Sequence, residues 1–326
     1  MDRPNHTATS PEFDLISRYF TRAPRHASLG VGDDAALFGV SGGYEVAAST
    51  DMLVVGVHFF PDVDPRALGH KALAVNLSDL AAMGAMPRWA MLSLALPEVD
   101  HTWLEGFARG FFALADQYGV DLIGGDTTRG PLTLNVQVMG EVAKGKALRR
   151  DGAKVGDEVW VSGTLGDAAA AVAHRRGELV LDDATLERCR NKLDWPAPRV
   201  ALGRELVSLA RSAIDISDGL VGDLGHICER SNVGAVIEYA AIPSSANLRA
   251  LKNRARVDRA ILAGGDDYEL CFTADSSHAP QIAALAATLE LSLTRIGRIV
   301  EGEAVIVQDE SGGIVPIKEG GFDHFR

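Results

Sequence analysis

Apolar residues recur at helical spacing in three stretches of the first half of the chain. Residues 12–20 read as a short amphipathic helix. Pro65, one residue after Asp64, opens a second helix that carries Leu68, Ala72, Val75, Leu80 and Met83 and stops at Gly84 ahead of Pro87. Residues 100–118 form the third, with Trp103, Leu104, Phe107, Phe111 and Leu114 facing a core and Gly119 at its end. Between the helices lie runs rich in Val, Ala and Leu. Residues 44–49 and 53–59 flank a turn at Asp51, and 89–96, 120–123 and the alternating 132–142 follow as strands. Strand, helix, strand, helix, strand is an α/β order, while the long alternating strand suits an antiparallel pair.

Residues 144–156 break this pattern with Gly145, Arg149, Arg150, Asp151, Gly152 and Gly156. That break predicts two domains, residues 1–148 and 149–326. The second half restarts with a strand over 158–162 and an Ala-rich helix ending at Gly177, then helices over 183–192 and 200–211. Strands follow at 213–216, 234–239, 268–273, 292–299 and 303–308, with helices at 219–230, 246–263 and 277–289. The aromatic tail Gly320-Gly321-Phe322-Asp323-His324-Phe325 is expected to fold back onto the body.

Composition narrows the function classes. A chain of 326 residues, 47% hydrophobic and 23% charged, is long enough for two cores. The net charge of -12 argues against nucleic acid as a partner. Three cysteines without metal-ligand spacing fit a reducing compartment. The polar first ten residues do not resemble a signal peptide, and no apolar run has membrane-spanning length, so the expectation is a cytoplasmic protein without a membrane partner.

The chemistry sits at the ends of elements. Gly124-Gly125-Asp126-Thr127-Thr128-Arg129-Gly130 follows the apolar run 120–123, so a carboxylate, two hydroxyls and a guanidinium stand where backbone can approach a ligand. Gly32-Asp33-Asp34, Ser49-Thr50-Asp51, Asp79 and Asp215-Ile216-Ser217-Asp218-Gly219 repeat the theme. Taken singly, each has an ordinary reading: Asp33 and Asp34 as turn residues, Asp51 bonded to its own backbone, Asp218 as a helix cap. Asp79, in an otherwise apolar helix, needs a partner, for which Lys71, Asn76 or a metal qualifies. Taken together, and without a Cys and His cluster, the carboxylates favour oxygen coordination of magnesium over zinc. Ser162-Gly163-Thr164-Leu165-Gly166 is a strand-to-helix passage that either holds a phosphate on its amides or is an ordinary turn and cap. Arg129 and Arg150 are forked donors suited to phosphate oxygens.

The motif series resembles the thiamine-monophosphate kinase family, within the broader ATP-binding group that resembles aminoimidazole ribonucleotide synthetase. It runs Gly32-Asp33-Asp34-Ala35-Ala36, Ser49-Thr50-Asp51 with His58-Phe59, Asn76-Leu77-Ser78-Asp79-Leu80-Ala81, residues 124–131, 161–167, 213–220 and 264–272, and the closing Gly321-Phe322-Asp323-His324-Phe325. The resemblance implies a two-domain, synthetase-like α/β architecture, α+β in character, with an N-terminal sheet domain forming a barrel across a homodimer and a C-terminal α/β domain completing the nucleotide and thiamine phosphate sites. It assigns magnesium to Asp34, Ser49, Thr50, Asp51, Asp79, Asp126, Asp215 and Asp218, with Asp33 beside them. Nucleotide contacts go to Gly125, Asp126, Arg150 and Ser217, and thiamine phosphate contacts to His58, Asp266 and Phe322. At position 266 the family usually has Glu, and this chain has Asp.

The activity implied is in-line transfer of the terminal phosphoryl group of ATP to thiamine phosphate, with Asp34, Asp51, Asp79, Asp126 and Asp215 holding several magnesium ions. Two other readings stay open. One is an ATP-dependent synthetase of the same group that phosphorylates an amide or carboxylate oxygen. The other is a nucleotide-binding regulator without turnover. The selenium-transferring branch uses a reactive Cys near the N-terminus, and residues 1–28 contain none.

Overall fold

The computed structural model describes residues 11–316 and Gly321. Two compact units divide it. One takes the chain up to Gly42 with Ala48–Asn76 and Pro87–Glu141; the other takes Gly43–Ala47, Leu77–Met86 and the described chain from Val142 onward.

The first sheet contains β3 (Tyr44–Val54), β4 (Met86–Leu96), β5 (Asp121–Arg129) and β6 (Thr133–Ala143) in the order β3-β6-β4-β5; β1 (Ala27–Leu29) and β2 (Leu37–Phe38) form a separate two-stranded sheet. β4 and β5 run parallel, as a helical crossover between them requires. β3 and β6 run antiparallel, since Val55 N–H donates to the Leu132 carbonyl at one end (3.2 Å) and Lys144 N–H to the Gly43 carbonyl at the other (3.0 Å). That crossover is α3 (His101–Tyr118), preceded by α1 (Pro11–Tyr19) and α2 (Pro65–Ala82). The apolar spacing of α3 is realised: Leu104, Phe107, Phe111 and Leu114 are buried, and Trp103 stacks on Phe107 at 5.2 Å. Asp100 Oδ1 accepts the Thr102 and Trp103 amides at 2.8 and 3.1 Å, and Gly119 closes the helix in the left-handed region.

The second unit carries a six-stranded sheet ordered β12-β9-β11-β7-β10-β8. Its strands are β7 (Glu158–Ser162), β8 (Ala210–Asp215), β9 (Gly234–Glu238), β10 (Leu270–Ala274), β11 (Leu293–Val300) and β12 (Val305–Gln308). Neighbours are antiparallel except for the parallel pair β12 and β9. β10, between two partners, is buried along its whole length. The helices are α4 (Asp167–Arg175), α5 (Asp183–Asp194), α6 (Val200–Leu206), α7 (Leu220–Ser231), α8 (Ala246–Arg249), α9 (Arg254–Ala263) and α10 (Ala279–Thr288).

A two-domain α/β architecture is present, but the expected barrel is not: among the described residues no sheet is closed. β3 and β5 stand at opposite ends of an open four-stranded sheet. Three local expectations also change. Ser49-Thr50-Asp51 does not turn, because β3 runs through it as one strand of 11 residues. Gly124 to Arg129 is not a strand end but the body of β5, paired residue for residue with β4 from Gly124 opposite Met91 to Arg129 opposite Leu96. Residues 246–263 are two helices, since the Asn253 side chain accepts the Arg256 amide and restarts the chain as α9. The tail beyond Gly321 lies outside the described residues, and so does Phe322. Among the described residues no helix is long and apolar enough to cross a membrane.

Candidate functional site

In the first unit the polar residues of β3 are locked from both sides. Asp51 N–H donates to Asn76 Oδ1 at 3.0 Å, and the fully buried Asn76 returns its amide to the Ala72 carbonyl of α2 at 3.0 Å. Thr50 Oγ1 donates to the Val136 carbonyl at 3.1 Å and receives Asn135 Nδ2 at 3.1 Å. The Asp51 backbone is thereby fixed in place on β3. Asn76 had been a candidate partner for Asp79; its side-chain oxygen instead serves the Asp51 amide.

Asp33 behaves as a turn residue, its Oδ1 accepting the Asp34 amide at 2.9 Å, which leaves Asp34 on an exposed loop. His58 follows β3 in a tight turn where its Nδ1 accepts the Val54 amide at 3.0 Å, so a neutral ring carries its proton on Nε2. Gly125 and Asp126 lie opposite Leu92 and Ser93, both exposed, on the far edge of the sheet from β3. Three strand spacings separate Asp51 from Asp126, about 14 Å, so within one chain they do not meet around one ion.

In the second unit two loops lie side by side. β8 ends at Asp215, which pairs with Leu270. Beyond it Ile216 N–H donates to the Glu269 carbonyl (2.8 Å), Tyr268 N–H to the Ile216 carbonyl (2.8 Å) and Asp266 N–H to the Ser217 carbonyl (2.9 Å). Asp215, Ser217, Asp218 and Asp266 are therefore neighbours along this seam. Asp266 and Tyr268 hold positive φ of 69° and 50°, unusual for residues with side chains, and the Tyr268 hydroxyl lies 3.5 Å from Asp266 Oδ1. Asp218 does not cap α7. The amides of Asp218 and Gly219 instead donate to Asp223 Oδ2 at 3.1 and 3.0 Å. Burial, then the neighbouring Asp218 charge, push the Asp223 carboxyl up to about 7, against those amides and the nearby Arg150. Asp79 is half-buried on α2 between neighbours that are buried outright.

The passage 162–166 is no phosphate cradle. Gly163 N–H donates to Ser292, Leu165 N–H to Pro243, and Gly166 N–H is shared by both Asp267 oxygens at 3.0 Å. A side-chain carboxylate already occupies the start of α4, and its removal from water raises its pKa well above the ordinary value.

Sequence reasoning missed Asn76 as the clamp on Asp51, Asp223 behind Asp218, and Glu269 with Arg199 beneath the Asp266 loop. A lone Asn on a buried helix face was the one available signal.

The donor set is carboxylate and hydroxyl oxygen, the chemistry magnesium takes. Among the described residues no three of His, Cys, Asp and Glu form a ready cage. Magnesium needs none, because it usually keeps waters and binds through one or two carboxylates plus substrate phosphates.

Known proteins give the same outline. Residues 32–142 match the family model for the N-terminal domain of AIR synthase related protein, and 154–310 the model for its C-terminal domain. The thiamine-monophosphate kinase of Escherichia coli (strain K12) is 45% identical over 321 residues, spanning 96% of this chain and 98% of that one. The crystal structure of thiamine-monophosphate kinase from Stenotrophomonas maltophilia K279a is similar at TM-score 0.82 and 49% identity, over 90% of this chain and 94% of that one. A structure described as AaThiL complexed with AMPPCP and TMP matches at TM-score 0.76 and 32% identity, over 90% and 92%. With both domain models matched in order and a relative this similar from end to end, the chain belongs to the thiamine-monophosphate kinase family.

Proposed function

We propose that the protein transfers the terminal phosphoryl group of ATP to a phosphate oxygen of thiamine phosphate, giving thiamine diphosphate and ADP. The observation that carries this is the 45% identity to the Escherichia coli thiamine-monophosphate kinase across 96% of the chain. The relative complexed with AMPPCP and TMP, 32% identical, supports the pair of substrates.

In this reading residues 1–148 are the ATP, magnesium and dimerisation domain and 149–326 complete the nucleotide and acceptor sites. Asp34, Ser49, Thr50, Asp51, Asp79, Asp126, Asp215 and Asp218 hold magnesium. When bound, it offsets the charge of two phosphate-bearing reactants. Arg150, Ser217 and the Gly125 amide orient the nucleotide, and His58, Asp266 and Phe322 receive thiamine phosphate. The Asn76 clamp on the Asp51 amide supports Asp51 as a rigid donor. No side chain needs to remove a proton: a phosphate monoester has its second pKa near roughly 6, so the acceptor is already largely the dianion at neutral pH.

The reading includes a homodimer in a cytoplasmic setting. The edge strand β3 exposes Tyr44, Val46 and Met52 in alternation, an unpaired apolar row that a second copy would cover. Sedimentation at micromolar concentration tests this, and a monomer removes it.

Product chromatography over thiamine, thiamine phosphate and aminoimidazole precursors, each with ATP and magnesium, tests the function. One ADP per thiamine diphosphate is expected, with thiamine itself a poor acceptor because no base is assigned to its hydroxyl. Product from thiamine alone refutes the reading, and orthophosphate release from a precursor points to a synthetase.

A further inference from the structure

We infer that Glu269, gripped by Arg199, is a positioning residue that sets the acceptor loop 264–268; this rests on the assignment of Asp266 to thiamine phosphate. Glu269 is 1% exposed, and neither carboxylate oxygen is idle. Oε2 accepts Arg199 Nε at 2.6 Å and the Ser162 hydroxyl at 2.6 Å; Oε1 accepts Arg199 Nη2, with Lys192 Nζ 3.7 Å away. The Ser162 hydroxyl in turn accepts the Leu270 amide at 2.9 Å, and the Glu269 carbonyl accepts Ile216 N–H at 2.8 Å. One residue thus ties β7, β10, the start of α6 and the Ile216 turn.

Two features indicate a role beyond stability. A Cβ at position 163 would fall 2.1 Å from Glu269 Oε1, so the chain keeps glycine there, at φ +60, and the carboxylate lies directly over the main chain. The loop that Glu269 terminates holds Asp266 and Tyr268 at positive φ, strained conformations that persist only where the surroundings enforce them. A buried, bidentate ion pair adds little stability over apolar packing but fixes geometry. The loop is therefore held along its length by the Asp266 amide on the Ser217 carbonyl, the Gly166 amide on Asp267 and the Tyr268 amide on the Ile216 carbonyl, and its foot is fixed by Glu269 in the Arg199 fork. Releasing the foot loosens the seat of the Asp266 side chain, while the backbone bonds to Ser217 and Ile216 keep the nucleotide side of the seam in place.

The test is steady-state kinetics of full-length Glu269→Gln with each substrate varied in turn. The Michaelis constant for thiamine phosphate should rise about tenfold, as for one weakened charged contact, with that for ATP and kcat within about threefold of the parent. Glu269→Gln removes the negative charge that faces Arg199 and lowers stability, so Glu269→Gln with Arg199→Met is the second variant. Removing both charges should return the denaturation midpoint toward the parent, while the acceptor constant stays high because the grip is still absent. Equal rises in both Michaelis constants, or recovery of the acceptor constant together with stability, overturn the inference and make Glu269 a structural ion pair. A parent protein that binds no thiamine phosphate in calorimetry removes the functional reading itself, and this inference with it.

Discussion

Gly125→Ala and its neighbour Gly124→Ala form a matched pair whose outcomes the structure separates. A methyl at position 125 would lie 1.8 Å from the Leu92 carbonyl oxygen and 2.6 Å from its carbon, with the residue at φ +151. A methyl at 124 would meet only Met91 Cε, at 3.4 Å. Carbon and oxygen rest at about 3.3 Å, so β5 must retreat roughly 1.5 Å from β4 to admit the first methyl. That retreat stretches the ladder on either side of Leu92, two hydrogen bonds at about 1 kcal/mol each. The backbone conformation adds about 1–2 kcal/mol, for a total of about 3–4 kcal/mol. Gly124→Ala carries neither term and should stay within about 0.5 kcal/mol of the parent. Urea unfolding resolves the first transition, and amide exchange across β5 places any loosening on that edge strand. Equal stability of the two variants would refute the argument that β5 depends on backbone contact at Gly125.

Asp126 is exposed on β5, so Asp126→Asn should unfold like the parent, within about 0.5 kcal/mol, while turnover with ATP collapses; near-normal turnover at saturating magnesium removes its metal role. Asp266→Ala should raise the Michaelis constant for thiamine phosphate about ten- to hundredfold and leave that for ATP alone, and equal effects on both place the residue outside the acceptor pocket. Asp266→Glu restores the usual family residue, yet φ is 69° there and Asp tolerates the left-handed region better than Glu, so it should bind thiamine phosphate no more tightly than the parent; a gain in affinity would show that reach matters more than backbone fit. Burial, first of all, holds the Asp267 carboxyl well above the usual carboxylate range. The folded state therefore keeps a proton that the unfolded chain releases, and stability declines as pH rises from about 4 through the folded pKa, by up to about 1.4 kcal/mol per unit. Asp267→Asn removes that decline, so urea midpoints measured from pH 4 to 8 should fall less steeply than in the parent; parallel curves would count against it.

What the sequence made legible was periodicity. α2 and α3 show their apolar faces and their stops, Gly84 and Gly119, in local order, and the structure follows them. The strand pattern failed where polar residues carried a different meaning. Ser49-Thr50-Asp51 resembles a turn, but β3 is an edge strand with one face exposed, and there alternation admits polar residues without a break. The paired glycines 124 and 125 signalled a close approach, yet the backbone that Gly125 admits is β4 within the same sheet. Residue types suited to magnesium and phosphate were readable as chemistry. Their supports were not, because Asp51 meets Asn76 across 25 residues and Arg199 meets Glu269 across 70, and no local pattern encodes such pairs.

The acidic residues of the second unit divide by what holds them. Asp223 accepts two backbone amides, Asp267 accepts one amide on both oxygens, Asp167 accepts the Ser245 hydroxyl at 2.6 Å, and Glu269 sits in the Arg199 fork. Each of these carboxylates is committed to the protein, and each fixes a backbone segment. Asp218 stands in the turn that Asp223 braces, and Asp266 in the loop that Glu269 ends. A carboxylate bonded to several protein donors has its lone pairs directed and its charge screened, which suits it to shape a loop and not to exchange a water for a metal or phosphate. Such bracing also answers the repulsion that many acids in one unit create, since Asp223, its carboxyl pushed up to about 7, adds less than a full negative charge behind the loops near neutral pH. Identical side chains in the sequence are thus told apart as braces by the backbone segments they are seen to hold.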